Sequence, residues 1–257
     1  MTGPRAEHRP NLAYLEILGA LLVCAVVAGS IYSIFVREER SRQVGVELAE
    51  ATQNARSGID LLSRELRSAG YGVDPAFRPS ILTASQYRVT FTLDRNRDHR
   101  IDAGETVTYF LDPNRGDPAL PAGKSPRDYV LRRKVSAPGD SLAEPVAGTG
   151  EIVAYGLTQR SAARVRLPDV PLFSYRSAGG EGLELKPGTL EDPAGIFFGR
   201  TVSDADLGKP APAGAKTRVA SITVNMVTET KQKNPWSGAY DRVSMAALIE
   251  PNSQPPE

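Results

Sequence analysis

Leu12 to Val36 reads LAYLEILGALLVCAVVAGSIYSIFV, an apolar, small and aromatic run of 25 residues with one charge, Glu16. As a helix, at about 1.5 Å per residue, it is long enough to cross a hydrocarbon core roughly 30 Å thick. Nothing else in the chain is comparably apolar. A cleaved export signal has an apolar run of about 7–15 residues followed by small residues. Here the run is longer and Arg37-Glu38-Glu39-Arg40 follows it. The segment therefore reads as a retained membrane span, preceded by a short polar tail, residues 1–11.

Lysine and arginine near the span give no clear orientation. Arg5 and Arg9 precede it, and Arg37, Arg40 and Arg42 follow it. Glu16 is the anomaly. A carboxylate at the centre of a membrane helix costs about 2.5–3.5 kcal/mol on insertion scales, and less near a helix start. Two readings follow: a tolerated interfacial glutamate, or a carboxylate that meets a cation in a neighbouring subunit.

The helical pattern continues past the span. Val44, Leu48, Ala51, Ala55, Ile59, Leu62, Leu66 and Ala69 recur at steps of three and four, placing them on one face. Gly70, Gly72 and Pro75 supply the stop. Beyond it the chain alternates as strands do. Expected strands are Gln86–Leu93, Thr106–Leu111, Tyr129–Val135, Ile152–Leu157, Arg218–Thr230 and Arg242–Ile249, the last two an antiparallel pair joined by the loop Glu229–Tyr240. Stretches rich in proline and glycine at 112–127, 136–150 and 187–216 read as loops. The fold class is α+β: one long helix, residues 12–36 in lipid and 37–72 amphipathic, then a β-rich head over 73–250 and a tail, 251–257.

Composition bears on function mainly by exclusion. The 31 basic and 30 acidic residues leave a formal charge of +1, without the global field that a nucleic-acid-binding domain presents. The single cysteine, Cys24, lies inside the span, so no intramolecular disulfide forms. Only two histidines occur, His8 and His99. No nucleophile elbow, phosphate loop or paired metal-binding histidines is present, and no pair of carboxylates is singled out for acid–base work. The sequence points to neither an enzyme nor a small-molecule substrate.

One loop carries its own chemistry. Asp94-Arg95-Asn96-Arg97-Asp98-His99-Arg100-Ile101-Asp102-Ala103-Gly104-Glu105 places oxygen side chains at the first, third, fifth, ninth and twelfth positions of a twelve-residue calcium loop. Asp94, Asn96, Asp98, Asp102 and Glu105 would supply side-chain oxygens and Arg100 its backbone carbonyl. His99 stands at the sixth position, where glycine normally serves a left-handed turn. The other reading is a solvated hairpin loop held by Asx-turns and local ion pairs.

Asn11 to Leu21, NLAYLEILGAL, resembles the amino terminus of type IV pilins and pseudopilins. In that family a short basic leader ends in glycine, and the mature chain opens with an apolar run containing a glutamate. The resemblance makes Leu12 the first mature residue, Glu16 the assembly glutamate, and Asn11–Leu12 the processing site of a prepilin peptidase. Asn11 stands where the family has glycine and Leu12 where phenylalanine is usual. The helix end, Ala55 to Gly72, is similar to that of PilW-type minor pilins, with its Arg64-Glu65-Leu66-Arg67 step and Ala69-Gly70-Tyr71 stop. Heads of that kind often carry an Asp-x-Asn-x-Asp loop such as the one at 94–105. The resemblance implies a minor pilin that primes or caps a pilus. It is held in the inner membrane with a periplasmic head until it joins other pilin subunits, at the tip of the filament. Two other roles fit the same residues: a minor pseudopilin of a type II secretion system, and a non-polymerising, membrane-anchored envelope protein with a calcium-binding head.

Overall fold

The computed structural model describes residues 10–72, 81–99, 101–102, 104–113, 128–136, 148–159, 170–177 and 219–251. The chain divides into two compact units, Met1–Val46 and Glu47–Glu257. Helix α1 runs from Pro10 to Arg67, 58 residues, and contributes to both. Its apolar window is wholly exposed within the chain and is long and apolar enough to cross a membrane.

The head is α+β, as expected. The remainder of α1 packs on an antiparallel sheet of eight strands: β1 Ile81–Ala84, β2 Arg88–Thr92, β3 Thr106–Pro113, β4 Tyr129–Val135, β5 Glu151–Leu157, β6 Phe173–Ser177, β7 Val219–Lys233 and β8 Tyr240–Ile249. They are ordered β1-β2-β3-β4-β5-β7-β6, with β8 paired to β7. The Phe173 amide donates to Gln86 O at 2.9 Å, bringing the two ends of this path together, so the sheet curls around the helix.

Periodicity explains which helix face is buried. Ala55, Ile59, Leu62, Leu66 and Ala69 join one core with Val89, Phe91, Tyr109, Leu131, Leu157, Ile222, Val224 and Met226. Each large apolar side chain removed from water there contributes about 1.5–3 kcal/mol. Phe91 and Tyr109 stack with centroids 6.2 Å apart. Leu48, expected on the same face, is 37% exposed, because the sheet covers the helix only further along. Gly58 marks the closest approach. A Cβ there would lie 2.9 Å from Ala154 Cβ, tighter than any real contact.

Some expectations change. β1 and β6 were not foreseen, and the loop over Glu229–Tyr240 is shorter, because strand pairing persists to Lys233 and Tyr240. The polar face of β2 is buried as well, at Arg88, Thr90 and Thr92. Thr90 and Thr108 hydroxyls bond across strands at 3.0 Å, and Arg132 Nε donates to Asp112 Oδ2 at 2.8 Å. Gln159 is fully buried with φ 50°. Its side chain stands in for a strand where the partner of β7 changes from β6 to β5. Nε2 donates to Val170 O and Asn225 O, and Oε1 accepts from the Val227 amide at 2.9 Å.

Polar locks fix helix to sheet. Glu65 accepts from Arg133 Nε at 2.9 Å and Nη2 at 2.8 Å, and from Tyr109 Oη at 2.7 Å. Burial on its own would raise the Glu65 pKa. The hydrogen bonds from Arg133 and Tyr109, with the charges of Arg133 and Arg95, outweigh it and hold the carboxyl below its ordinary value. Burial and the Glu65 hydrogen bond together push Tyr109 well up. A second lock joins Glu50 to Lys231 and Tyr155.

A carboxylate with a lowered folded pKa adds stability above its unfolded pKa and loses it as pH falls through the folded value. Glu65→Gln, which takes the two-pronged carboxylate from Arg133 and leaves it only the exposed Glu151 at 3.5 Å, is expected to cost about 2–3 kcal/mol at pH 7. The cost should shrink as pH drops below the ordinary carboxylate range. Urea unfolding of the full chain in detergent, followed by near-ultraviolet dichroism at both pH values, measures it.

Candidate functional site

Two places in the fold carry residues singled out in the sequence. The first is the span. Glu16 is exposed on α1, and among the described residues it has no hydrogen bond or ion pair. Tyr14, Leu15, Ile17, Leu18, Leu21 and Leu22 around it are also exposed, each more than half. An unpaired carboxylate on a lipid-compatible surface is an open valence: in lipid it is stable only neutralised or paired. Asn11 and Leu12 lie within α1, but their side chains fall outside the described residues, as do residues 1–9.

The second is the loop between β2 and β3, whose ends are clamped by the ladder. The Leu93 amide donates to Glu105 O at 2.9 Å. The five described of the six expected positions separate into two groups. Asp94 and Glu105 are buried, at 4% and 3% exposure, and both work on the backbone. Asp94 accepts the amides of Arg97 and His99. Glu105 Oε1 accepts from Arg95 at 2.7 Å and Asn96 at 3.3 Å, and its Oε2 accepts from Asp102 at 2.8 Å. These bonds wind the loop around its two end carboxylates.

The other group is on the outside. Asn96 Nδ2 lies 3.1 Å from Asp98 Oδ2 and 3.3 Å from Asp102 Oδ2, so a partial positive charge already bridges two carboxylates. Asn96 Oδ1 accepts the Asp98 amide at 3.0 Å, an Asx-turn. Arg100, and with it the expected seventh-position carbonyl, lies outside the described residues. Among the described residues no three or more histidine, cysteine or acidic side chains are grouped to hold a metal ion.

The backbone meets the requirement noted in the sequence. His99 has φ 61° and Arg97 φ 63°, so left-handed turns fall at the sixth and fourth positions. The His99 ring Nδ1 lies 2.9 Å from Gly72 O, a contact that ties the loop to the end of α1. Asp94 N donates to Tyr71 O at 3.1 Å and Gly70 N to Thr92 O at 2.8 Å. Gly72 cannot be replaced without disturbance: its φ is 75°, and a Cβ would sit 2.6 Å from Asp94 Oδ2. Sequence reading missed this coupling because the residues it joins are far apart in the chain. The only signal was the pair of glycines that stop the helix.

Among the described residues, the carboxylates of Asp94 and Glu105 act as acceptors for backbone amides of the loop. No family model, curated protein or solved structure matches the chain.

Proposed function

We propose that the protein is a pilin-like assembly subunit of the minor, PilW-like kind, rooted in the inner membrane with its head outside and able to join a filament of related subunits. One observation carries the reading. An exposed apolar helix, with Glu16 unpartnered among the described residues, is followed by a helical stretch that packs into the core of an antiparallel sheet. A membrane anchor alone needs the first feature without the carboxylate. An assembly element needs all three: an apolar surface that neighbouring helices can cover, a charge that sets register, and a head fused rigidly to the helix.

In this reading Glu16 meets the free amino terminus of an adjacent subunit, freed when a prepilin peptidase cuts between Asn11 and Leu12. In low dielectric the pair is strong, and it disfavours other registers. The same features serve a pseudopilin of a secretion system, and the partner subunits distinguish the two. Loss of an ion pair worth about 2 kcal/mol lowers a docking equilibrium roughly thirtyfold. Glu16→Ala should therefore leave the protein in the membrane but remove it from sheared filaments, as read by immunoblot of both fractions. Undiminished incorporation would remove Glu16 from the assembly contact, and absence of the parent protein from sheared filaments would favour a non-polymerising envelope protein.

A second reading concerns the loop at 94–105, and the left-handed His99 favours it. The turn that a calcium loop needs is formed, and the donors are hard oxygens suited to a hard cation. Asn96, Asp98 and Asp102, with Asp94, Glu105 and the Arg100 carbonyl, would hold calcium. The ion would supply charge that fixes the loop, and no chemical step is implied. Calorimetric titration of the full chain in detergent should show one site, weakened about tenfold or more by Asp98→Ala. No binding by the parent chain would leave the loop as a hydrogen-bonded turn.

A further inference from the structure

The hairpin formed by β7 and β8 ends in a turn, Asn234–Ala239, that holds Trp236, the only tryptophan in the chain. Trp236 is 59% exposed. Hydrogen bonds fix the turn beneath it. Gly238 N donates to Asn234 O and Asn234 N to Ala239 O, both at 2.8 Å. Trp236 N donates to Asn234 Oδ1 and Asn234 Nδ2 to Asp241 Oδ2, both at 2.9 Å. The indole is thus held outward by a built turn.

Its place in the head indicates what it faces. β7 runs against the helix. Met226 lies beside Gly58, Thr228 Oγ1 donates to Ala51 O, Lys231 pairs with Glu50, and Gln232 N donates to Glu47 Oε2 at 3.0 Å. Each step towards the turn is a step towards Glu47, the first residue of the head unit. The turn therefore stands at the end of the head where the chain arrives. Residues 37–46 alone separate Glu47 from the apolar run. A ten-residue tether spans at most about 33–36 Å, which bounds the distance from the end of the run to Glu47.

The company of Trp236 fits a lipid headgroup layer. Lys233 Nζ lies 5.8 Å from the centre of the Tyr240 ring, and both residues flank the turn. Tryptophan, tyrosine and lysine, with apolar bodies and polar tips, are the side chains that settle at membrane–water interfaces. Of the nearby acids, Glu50 is paired with Lys231, whereas Asp241 and Glu47 accept from the Asn234 side-chain amide and the Gln232 backbone amide and keep their charge.

We propose that the Asn234–Ala239 turn seats Trp236 in the headgroup layer of the bilayer that holds residues 12–36. This makes a second contact that sets the attitude of the head before any assembly. The inference rests on reading residues 12–36 as a span and is independent of filament formation.

The test uses the full chain in vesicles of phosphatidylethanolamine and phosphatidylglycerol, with Trp236 as the sole indole emitter. Vesicles brominated at shallow acyl positions should quench its emission roughly twofold or more, while aqueous acrylamide quenches it weakly. Ready acrylamide quenching without lipid quenching overturns the proposal. Protection from both quenchers overturns it too, since protein and not lipid would then cover the indole. Flotation with vesicles after alkaline extraction checks the span separately. A chain that does not float removes the span and the inference together, whereas one that floats with a water-exposed indole removes the inference alone.

Discussion

Removing one helical surface from water is the constraint on which the head depends. Ala55, Ile59, Leu62, Leu66 and Ala69 make it too apolar to stand in solvent, and the sheet curls so that its inner face covers them. Gly58 lets the two backbones close in. Glu65 sits at the edge of this contact and takes three hydrogen bonds from β3 and β4, so a carboxylate at the border of the core becomes a pin. The same helix, earlier in the chain, carries an apolar surface that none of the described residues covers. One element thus faces two different demands. The head satisfies the second half of the helix internally, and the first half needs lipid or other helices.

The loop at 94–105 belongs to this same economy of contacts. It is wound around Asp94 and Glu105, and it leans on the end of the helix through Tyr71, Gly70 and Gly72. A change in the loop is therefore felt at the helix stop, and from there at the core. Left-handed Arg97 and His99 cost more than glycine would, and the carboxylate–amide bonds offset that cost.

How much of this the residues announced follows from the range of each interaction. Helix, stop and five buried helix positions were legible, since a 3.6-residue period and two glycines are local signals. β4 matched its expected bounds, and β2, β3, β5, β7 and β8 differed from theirs by a few residues at one or both ends. β1 and β6, of four and five residues, are too short to show a period. The β7–β8 hairpin is longer than expected because strand pairing continues past Glu229 and Arg242 to Lys233 and Tyr240. The polar locks were illegible. Glu65 and Arg133 are separated by 68 positions, and Gln159 reaches residues 11 and 68 away. In the loop, the oxygen spacing was visible, but the division between backbone-bound Asp94 and Glu105 and exposed Asn96, Asp98 and Asp102 was not.

The central claim is that the helix works as an assembly spine, released from its leader so that a free amino group can meet Glu16 on a neighbouring subunit. Intact-mass and amino-terminal peptide spectrometry of the protein purified from membranes tests it most directly. A mature chain beginning at Leu12 is the predicted result. A chain that retains Met1 and residues 1–11 would contradict it, because the amino terminus that Glu16 is to meet would then lie eleven residues away from the span.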